Sequence, residues 1–278
     1  MDIDYLETIS ETVAAALSED YKGRDLTAEL IAADQRCTAN VISRSTALIA
    51  GRPWVDEVFR QVDEHIELHW HVCEGDLVQT DSLLFSATGS ARSLLTAERT
   101  ALNFLQTLSG TATRTRHYVD LVRHTAVTIL DTRKTIPGLR LAQKYAVKMA
   151  GASNHRIGLF DAFLIKENHI SAAGSIASAI SRARDLDIDA RVEVEVENLG
   201  EFREAIEAQP DWIMLDNFSA ADLVTAVESN NTNIKLEASG GIEADSDLLR
   251  IAETGVDFIS IGALTKHCQA IDLSMRFV

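Results

Sequence analysis

The chain has 278 residues, 46% of them hydrophobic and 24% charged, as in an ordinary globular protein. Three prolines and 14 glycines exclude a collagen-like or proline-rich disordered chain, and no apolar run reaches the roughly 20 residues of a membrane span. The excess of 42 acidic over 26 basic residues argues against a basic nucleic-acid or membrane surface. An acidic N-terminus without a signal peptide, and three cysteines without CxxC spacing, predict a cytoplasmic protein.

The first 123 residues predict a mixture of helices and strands. Apolar residues at helical spacing predict helices over 5–17 and 55–62, and strand patterns cover 37–50 and 65–72. Two further helices are predicted over 93–109 and 111–123, with Gly110 between them.

After residue 124 short apolar strands alternate with helical segments. Six strands are predicted, over 126–131, 161–166, 191–197, 211–216, 233–239 and 257–262. Alternating strands and helices predict a parallel sheet with helices outside it. Only about 140 residues are available for units that in a full barrel need roughly 250. We therefore expect an open, incomplete α/β barrel of six or seven strands, its edges covered by the N-terminal domain or a second subunit.

Strand alternation predicts charges inside this barrel. In the segment RVEVEVE the valines share one face, and Glu193, Glu195 and Glu197 share the other. If the valines pack under the helices, the carboxylates point inward and need cations or a metal; an exposed edge strand is the alternative. The same alternation turns Met214 inward. The expected interior charge network, which could also be a purely structural ion-pair lattice, contains Lys166, Lys235, Glu195, Glu237 and Asp216.

A local excess of cations indicates an anionic ligand. Seven Lys or Arg residues stand against three acids between 131 and 170; the alternative is a solvated helix face. Arg133 and Lys134 follow the first barrel strand, and arginine can grip a carboxylate through two hydrogen bonds. His155 lies beside Arg156, upstream of Lys166. The glycine turns SGGI (239–242) and SIGALT (260–265) end the last two strands, where backbone N–H groups can bind phosphate.

Together these segments resemble the quinolinate phosphoribosyltransferase family, also called carboxylating nicotinate-nucleotide pyrophosphorylases. The matching pieces are ARSLLTAERTALNFLQTLSG, DTRKTIPGLR, QKYAVKMAGASNHRIGLFDAFLIKENH, VEVEVEN, IMLDN, LEASGGI and GVDFISIGALT. The resemblance implies an N-terminal α/β sandwich of residues 1–110, joined by 267–278, and an open seven-stranded barrel of 111–266. It also implies a homodimer in which the partner's N-terminal domain closes each barrel mouth.

The resemblance further implies a reaction of quinolinate with phosphoribosyl pyrophosphate, dependent on Mg²⁺, that gives nicotinate mononucleotide, pyrophosphate and carbon dioxide in NAD biosynthesis. The cluster implied for the quinolinate carboxylates contains Arg99 (reaching in from the other subunit), Arg133, His155 and Arg156, and Thr132 is implied as a further substrate-binding residue. Lys134 and Lys166 would contact quinolinate and the phosphates, and Glu195 and Asp216 the ribose hydroxyls and Mg²⁺. The implied cradle of the 5′-phosphate contains Ser239, Gly240, Gly241, Ser260, Ile261 and Gly262.

Some positions depart from the family pattern. Gln143 replaces a glutamate, Ala150 and Ala152 replace two of three glycines, and Lys266-His267 stands where His-Ser is common.

Three other functions stay open at this stage. They are a related phosphoribosyltransferase for another aromatic acid, including the molybdenum-transport-associated homologue, a lyase or aldolase forming a Schiff base on Lys134 or Lys166, and a non-catalytic sugar-phosphate sensor.

Overall fold

A computed structural model describes residues 4–186, 189–242 and 244–278. The chain divides into two compact units. The N-terminal unit contains the chain up to Arg116, together with Thr135–Gly151 and His267–Val278. The barrel unit contains His117–Lys134 and Ala152–Lys266.

The helices and strands follow in chain order. The first part of the chain contains α1 (Ile9–Asp20), a 3₁₀ turn (Ala28–Leu30), β1 (Arg36–Ser43), β2 (Ala47–Leu48), α2 (Arg52–Val62), β3 (Glu67–Trp70), β4 (Leu77–Val78), β5 (Leu83–Ser90) and α3 (Ala91–Val122). The rest contains β6 (Thr128–Leu130), α4 (Arg140–Met149), β7 (Ala162–Ile165), α5 (Glu167–Ala173), α6 (Ile176–Asp185), β8 (Arg191–Val196), α7 (Leu199–Ala208), β9 (Trp212–Asp216), α8 (Ala220–Ser229), β10 (Lys235–Ser239), α9 (Asp245–Ala252), β11 (Phe258–Ser260), α10 (Ala263–Lys266) and β12 (Leu273–Phe277).

The N-terminal unit is built on an antiparallel sheet with the strand order β12-β1-β5-β3. The C-terminal strand β12 is an edge of this sheet, where Val41 of β1 lies opposite Met275. Alternate residues of β1 and β5 are buried, among them Ala39 and Phe85, and they join the core that contains Trp54 of α2. This burial of every second side chain is the pattern that strand alternation requires.

The predicted pair of helices over 93–109 and 111–123 is wrong, because α3 is one continuous helix of 32 residues. Gly110 does not break it. A Cβ atom at Gly110 would lie only 2.1 Å from the carbonyl oxygen of Gln269. The glycine therefore permits close approach of a distant backbone segment rather than ending a helix.

Helix α4 packs in the core of the N-terminal unit. Its alanines Ala142 and Ala146, with Ala150 just beyond it, are buried in the same cluster as Trp54 and Leu108. Small side chains at this spacing form one face of a helix and allow it to pack closely. The boundary expected from the sequence, which assigned all of 111–266 to the barrel, differs from this packing for residues 135–151.

The barrel unit contains a parallel sheet of six strands, in the order β6-β11-β10-β9-β8-β7. An isolated parallel bridge joins Leu130 to Ser153 beside β6. The helices α5 to α9 connect successive strands, as right-handed strand–helix–strand crossovers require. The structure thus confirms the predicted fold class, an α/β chain with an N-terminal domain and an open barrel, and gives six strands.

The predicted parity of β8 is confirmed for the strand itself. Val192, Val194 and Val196 are buried where α6 and α7 pack on the strand, and Glu193 is fully buried on the opposite face. Two expectations from the same pattern are wrong. Glu197 lies past the end of β8 and is exposed. Lys235 begins β10, is exposed, and pairs with Asp257 at 2.6 Å. Alternation predicts the face of a strand but not the depth at which a side chain lies.

Capping residues begin two of the outer helices just after the strands β8 and β9. The side chain of Asn198 accepts hydrogen bonds from the backbone N–H groups of Gly200 and Glu201, and starts α7 two residues after β8. Ser219 similarly caps α8 after β9. Such caps satisfy N–H groups that have no partner within the helix, and they limit the length of the loops that follow the strands.

Among the described residues, no helix is both long enough and apolar enough to cross a membrane.

Candidate active site

The middle of the barrel holds a closed cluster of charged side chains. The Nε2 atom of His155 lies 3.0 Å from Oε2 of Glu193 and 3.2 Å from Oε2 of Glu237. Arg191 adds an ion pair at 3.2 Å to the same Glu193 oxygen. The guanidinium of Arg191 also stacks 3.8 Å from the ring centroid of Trp212. Two carboxylates thus face two cationic groups, and the buried charges balance.

The ionisation of this cluster follows from its contacts. Burial by itself would lower the pKa of His155, but the hydrogen bonds and charges of Glu193 and Glu237 outweigh it and raise the pKa to about 9. Burial raises the pKa of Glu237, against the lowering effect of His155. His155 is therefore an imidazolium at neutral pH. One ligand atom from each of His155, Glu193 and Glu237 lies close enough to the others to suit a metal, but Arg191 and the imidazolium already neutralise both carboxylates.

Asp131 fixes the segment that carries His155 and Arg156. This carboxylate is fully buried at the end of β6. Its Oδ1 accepts the backbone N–H of His155 at 2.9 Å, and its Oδ2 accepts from Nδ2 of Asn154 at 2.6 Å. Glu193 and Glu237 thus hold the ring of His155, and Asp131 holds its backbone N–H and the side chain of Asn154. Arg156 therefore follows a residue whose ring and backbone are both fixed.

The end of β6 is joined to the end of β11. The backbone N–H of Lys134 donates to Oγ1 of Thr132 at 3.0 Å. The carbonyl of Lys134 accepts from Oγ1 of the buried Thr265 at 2.9 Å. A Cβ atom at Gly262 would lie 3.0 Å from Cδ of Lys134. The backbone of Lys134 is therefore fixed while its ammonium group remains on an exposed residue.

Lys166 and Glu195 form an ion pair on neighbouring strands. Lys166 follows β7, and its Nζ lies 2.5 Å from Oε2 of Glu195 on β8. The backbone N–H of Lys166 donates to Nδ1 of His169, which holds the start of α5. Asp216 ends the next strand, β9. Because parallel strands end at the same edge of a sheet, these three groups belong to one rim.

Two arginines of the barrel unit are poorly compensated. Burial and the positive charge of Arg133 lower the pKa of Arg156, against the weaker opposing effects of Glu193 and Asp161. Among the described residues, the Nε of Arg133 is buried and has no hydrogen-bond partner. Buried N–H groups are almost always paired, and two like charges side by side favour a bound anion. This pair therefore has the properties of an anion-binding site.

The predicted phosphate-binding residues follow the last two strands of the barrel. Ser239 ends β10, and Gly240 and Gly241 both have positive φ angles, +108° and +53°. A cavity of about 370 Å³ borders this turn and is lined also by Ser219 and Arg250. Ser260 is buried at the end of β11, and Ile261 and Gly262 follow it.

The structure thus collects most of the predicted site residues in the barrel unit. His155 and Arg156 lie in the loop before β7. The strand ends carry the others, namely Thr132, Arg133, Lys134, Lys166, Glu195, Asp216, Ser239, Gly240, Gly241, Ser260, Ile261 and Gly262. Arg99 belongs to the N-terminal unit. It lies exposed on α3 and borders a cavity of about 770 Å³ within that unit, beside Glu11 and Asn103.

Sequence reasoning missed several supporting residues. It did not give Asp131 its role in holding residues 154–155, Thr265 its contact with Lys134, or Asn217 its contact with Asp216. The sequence signal for Asp131 and Asn217 was their position alone, because both lie just beyond the last apolar residue of a strand. The interior network also differs from the expected one. Of the five residues expected there, Glu237 lies in the cluster with Glu193, His155 and Arg191, whereas Lys166, Glu195 and Asp216 lie at the rim and Lys235 is exposed.

The departures from the family pattern lie mostly outside the rim. Gln143 is buried in the N-terminal unit, where its Oε1 accepts the backbone N–H of Ile136 at 2.8 Å. Ala150 and Ala152 are both buried. Lys266 and His267 are exposed. A neutral glutamine performs the acceptor role at position 143 that a glutamate would.

The rim also has donors suited to Mg²⁺. This ion prefers oxygen ligands and commonly uses one or two carboxylates together with substrate phosphates and water. Glu195 and Asp216 supply such oxygens and are only partly buried. Lys166 contacts Glu195 through the carboxylate oxygen Oε2. The residues therefore fit the ion.

Comparison with known proteins agrees with this geometry. Residues 111–276 match the family description "Quinolinate phosphoribosyl transferase, C-terminal domain", and residues 25–109 match its N-terminal domain. The chain is 41% identical over 258 residues to a probable carboxylating nicotinate-nucleotide pyrophosphorylase of Bacillus subtilis, covering 92% of this chain and 89% of the relative. It is 39% identical to that of Mycobacterium leprae, covering 95% of both.

A solved structure gives the same result for the fold. The nicotinate-nucleotide pyrophosphorylase of Francisella tularensis matches with a TM-score of 0.96 and 48% identity, over 100% of this chain and 98% of the other. Both matched domains, the high identity and the collected rim residues lead to one conclusion. The chain belongs to the quinolinate phosphoribosyltransferase family.

Proposed function

We propose that this protein transfers the phosphoribosyl group of phosphoribosyl pyrophosphate to quinolinate and releases pyrophosphate and carbon dioxide. The product is nicotinate mononucleotide, a precursor in NAD biosynthesis. The observation that carries the proposal is the Arg133–Arg156 pair, two neighbouring guanidinium groups of which Arg133 has a buried Nε without a hydrogen-bond partner among the described residues. A pyridine dicarboxylate supplies the two negative charges that this pair lacks.

Quinolinate binds through its carboxylates. Arg133 and Arg156 offer paired N–H donors, and Lys134 and Lys166 add point charges. His155 belongs to the same cluster, but its Nε2 already contacts Glu193 and Glu237, so its contact with quinolinate would use Nδ1. Thr132 fixes the backbone of Lys134. These contacts orient the pyridine nitrogen toward the ribose, which is the main contribution of positioning to the rate.

The phosphoribosyl group binds along the rest of the rim. Backbone N–H groups of residues 239–241 and 260–262 cradle the 5′-phosphate, apart from that of Ile261, which donates to the carbonyl of Leu130 at 2.9 Å. Glu195 and Asp216 hold the ribose hydroxyls and the metal. When bound, Mg²⁺ neutralises charge on the departing pyrophosphate.

The chemistry proceeds through charge stabilisation at these residues. As the bond between C1 and the pyrophosphate oxygen breaks, positive charge develops on the ribose ring, and Glu195 and Asp216 stabilise it. The pyridine nitrogen then donates its electron pair to C1. The C2 carboxylate leaves as carbon dioxide, its bonding electrons stay on the ring carbon beside the cationic nitrogen, and a proton from solvent replaces it. No step requires a protein general base.

Arg99 enters the proposal through a second subunit. In a homodimer, Arg99 of one protomer completes the carboxylate cluster of the other. Mixing an inactive Arg99→Ala variant with an inactive Lys134→Ala variant would restore part of the activity, since some dimers would contain one complete site. Absence of complementation after verified subunit exchange would contradict the shared site.

The cytoplasmic location expected from the cysteines stays a prediction.

The direct test is incubation with carboxyl-labelled quinolinate, phosphoribosyl pyrophosphate and Mg²⁺. Labelled carbon dioxide and nicotinate mononucleotide are expected in equal amounts, and neither when the pyrophosphate substrate is omitted. A parallel assay with nicotinate separates this function from that of a phosphoribosyltransferase for another aromatic acid. Turnover of nicotinate but not quinolinate would overturn the proposal.

A further inference from the structure

Asn217 has an unusual backbone conformation at the rim of the barrel. Its φ angle is +56°, in the left-handed region. Among the described residues, Asp81 and Gln209 are the other non-glycine residues with positive φ. Gln209 follows the last residue of α7, where such a conformation ends the helix. Asn217 instead follows β9 directly after Asp216. Left-handed residues cost free energy and occur preferentially where function requires their geometry.

This conformation lets Asn217 contact two neighbouring site residues at once. Its backbone N–H donates to the carbonyl of Ser239 at 2.8 Å, which extends the pairing of β9 with β10 by one residue. Its side-chain Nδ2 donates to Oδ2 of Asp216 at 2.7 Å. An extended residue at this position would continue the strand and point its side chain to the opposite face from Asp216.

Asn217 also fits against the glycine turn. A Cβ atom at Gly240 would lie 2.2 Å from Oδ1, 2.7 Å from Cγ and 2.9 Å from the backbone N of Asn217. Since the closest atoms include backbone, no simple side-chain rotation would relieve the contact. Asn217 thus touches Asp216, Ser239 and Gly240, which belong to two different parts of the proposed phosphoribosyl site.

We propose that Asn217 is a positioning residue that fixes the Asp216 carboxylate relative to the Ser239–Gly240 turn. The ribose hydroxyls and the 5′-phosphate of one substrate must be gripped together, and Asn217 sets the spacing of the two groups that grip them. The inference rests on the proposed function. It predicts a specific effect on phosphoribosyl pyrophosphate, because the contacts of Asn217 described here are to the phosphoribosyl side of the rim.

The test compares Asn217→Gly with Gln209→Gly. Both changes place glycine at a left-handed position, so both relieve the same backbone strain. Only the first removes a hydrogen bond to a rim carboxylate. We expect kcat/KM for phosphoribosyl pyrophosphate to fall about 10- to 100-fold in Asn217→Gly, the size of losing a hydrogen bond to a charged group, with KM for quinolinate changed less than about twofold. Gln209→Gly keeps the wild-type constants.

Asn217→Asp provides a second variant that tolerates the same backbone conformation. It loses the donor and places a second carboxylate beside Asp216, so kcat/KM for phosphoribosyl pyrophosphate falls further than in Asn217→Gly. Unchanged kinetics in both Asn217 variants would overturn the inference. So would an equal loss in Gln209→Gly, or equal changes in KM for both substrates.

Calorimetric titration with phosphoribosyl pyrophosphate and Mg²⁺ separates this inference from the proposed function. If the wild-type protein binds the compound but does not turn over quinolinate, the proposed function fails while the positioning role still predicts about 10-fold weaker binding in Asn217→Gly. Equal affinity of wild type and variant would contradict the positioning role. Wild-type protein that does not bind the compound would overturn both.

Discussion

The middle and the rim of the barrel use the same residue types for different purposes. Glu193 and Glu195 lie two residues apart on the same face of β8. Glu193 is fully buried and contacts His155 and Arg191, whereas Glu195 pairs with a Lys166 side chain that is 44% exposed. A closed, neutral cluster holds the barrel together. An open cluster, whose cations are accessible from solvent, can bind substrate. The depth of a charged residue along a strand therefore decides its role.

Breaking the interior cluster has the largest expected effect. His155→Ala leaves Glu237 buried without its cation and Glu193 with Arg191 alone, and the free energy of unfolding falls by about 3–5 kcal/mol. His117→Ala is the matched control, because His117 pairs with Asp245 at 2.9 Å but both side chains are about half exposed; its loss stays below about 1 kcal/mol. Urea denaturation measures both. Similar small losses in the two variants would show that the interior pairs do not stabilise the barrel.

The same cluster makes stability depend on pH. The pKa of His155 is raised to about 9 from an ordinary value of 6.5, so its stabilising contribution is complete below pH 6.5 and disappears as the pH rises through 9. At 1.36 kcal/mol per pKa unit the contribution is about 3 kcal/mol. Urea denaturation between pH 6.5 and 9.5 should show this decrease in the wild type and a smaller one in His155→Gln. Parallel curves for the two proteins would contradict it.

Changes at the rim affect turnover rather than stability. Glu195→Ala or Asp216→Ala lowers kcat about 100-fold, because charge developing on the ribose loses its stabilising carboxylate. The free energy of unfolding falls less than in His155→Ala, because Lys166, the ion-pair partner of Glu195, is 44% exposed and regains water when the pair is lost. Glu197→Ala, an exposed carboxylate just beyond β8, leaves kcat unchanged. Wild-type turnover in both rim variants would remove these residues from the mechanism.

A smaller effect is expected at Gly262, where the closest atom belongs to the flexible side chain of Lys134. In Gly262→Ala the new Cβ would lie 3.0 Å from Cδ of Lys134, so the lysine stem must shift slightly. We expect KM for phosphoribosyl pyrophosphate to rise about threefold, with unfolding free energy changed by about 1 kcal/mol or less. Steady-state kinetics measures the change. A loss as large as that in Asp216→Ala would mean that Gly262 has a more direct role.

The positions of the six barrel strands in the chain could be predicted, because apolar segments repeat at the spacing of strand–helix units. The inward face of β8 could also be predicted from its alternating valines. The depth of Lys235 and Glu197 could not, since alternation is the same at the middle and the ends of a strand. The continuity of α3 depends on Gln269 packing against Gly110, a contact between residues far apart in the chain.

Site residues divide in the same way. Arg133, Lys166 and Asp216 follow strands and were found from that position together with the family resemblance. The fixing of His155 by Asp131, and of Asp216 by Asn217, depends on hydrogen-bond directions that no local pattern encodes. Residues proposed to bind substrate were therefore easier to predict than residues that hold them in place.

Calorimetric titration of quinolinate tests most directly whether the uncompensated cations of the rim bind the diacid. Wild-type protein and Arg184→Ala, whose arginine pairs with Asp211 at 2.9 Å, should bind quinolinate equally. Arg156→Ala should bind it about 10- to 100-fold more weakly, the size expected for losing charge-assisted hydrogen bonds. Equal affinity in all three proteins would contradict the assignment of the rim as the quinolinate site.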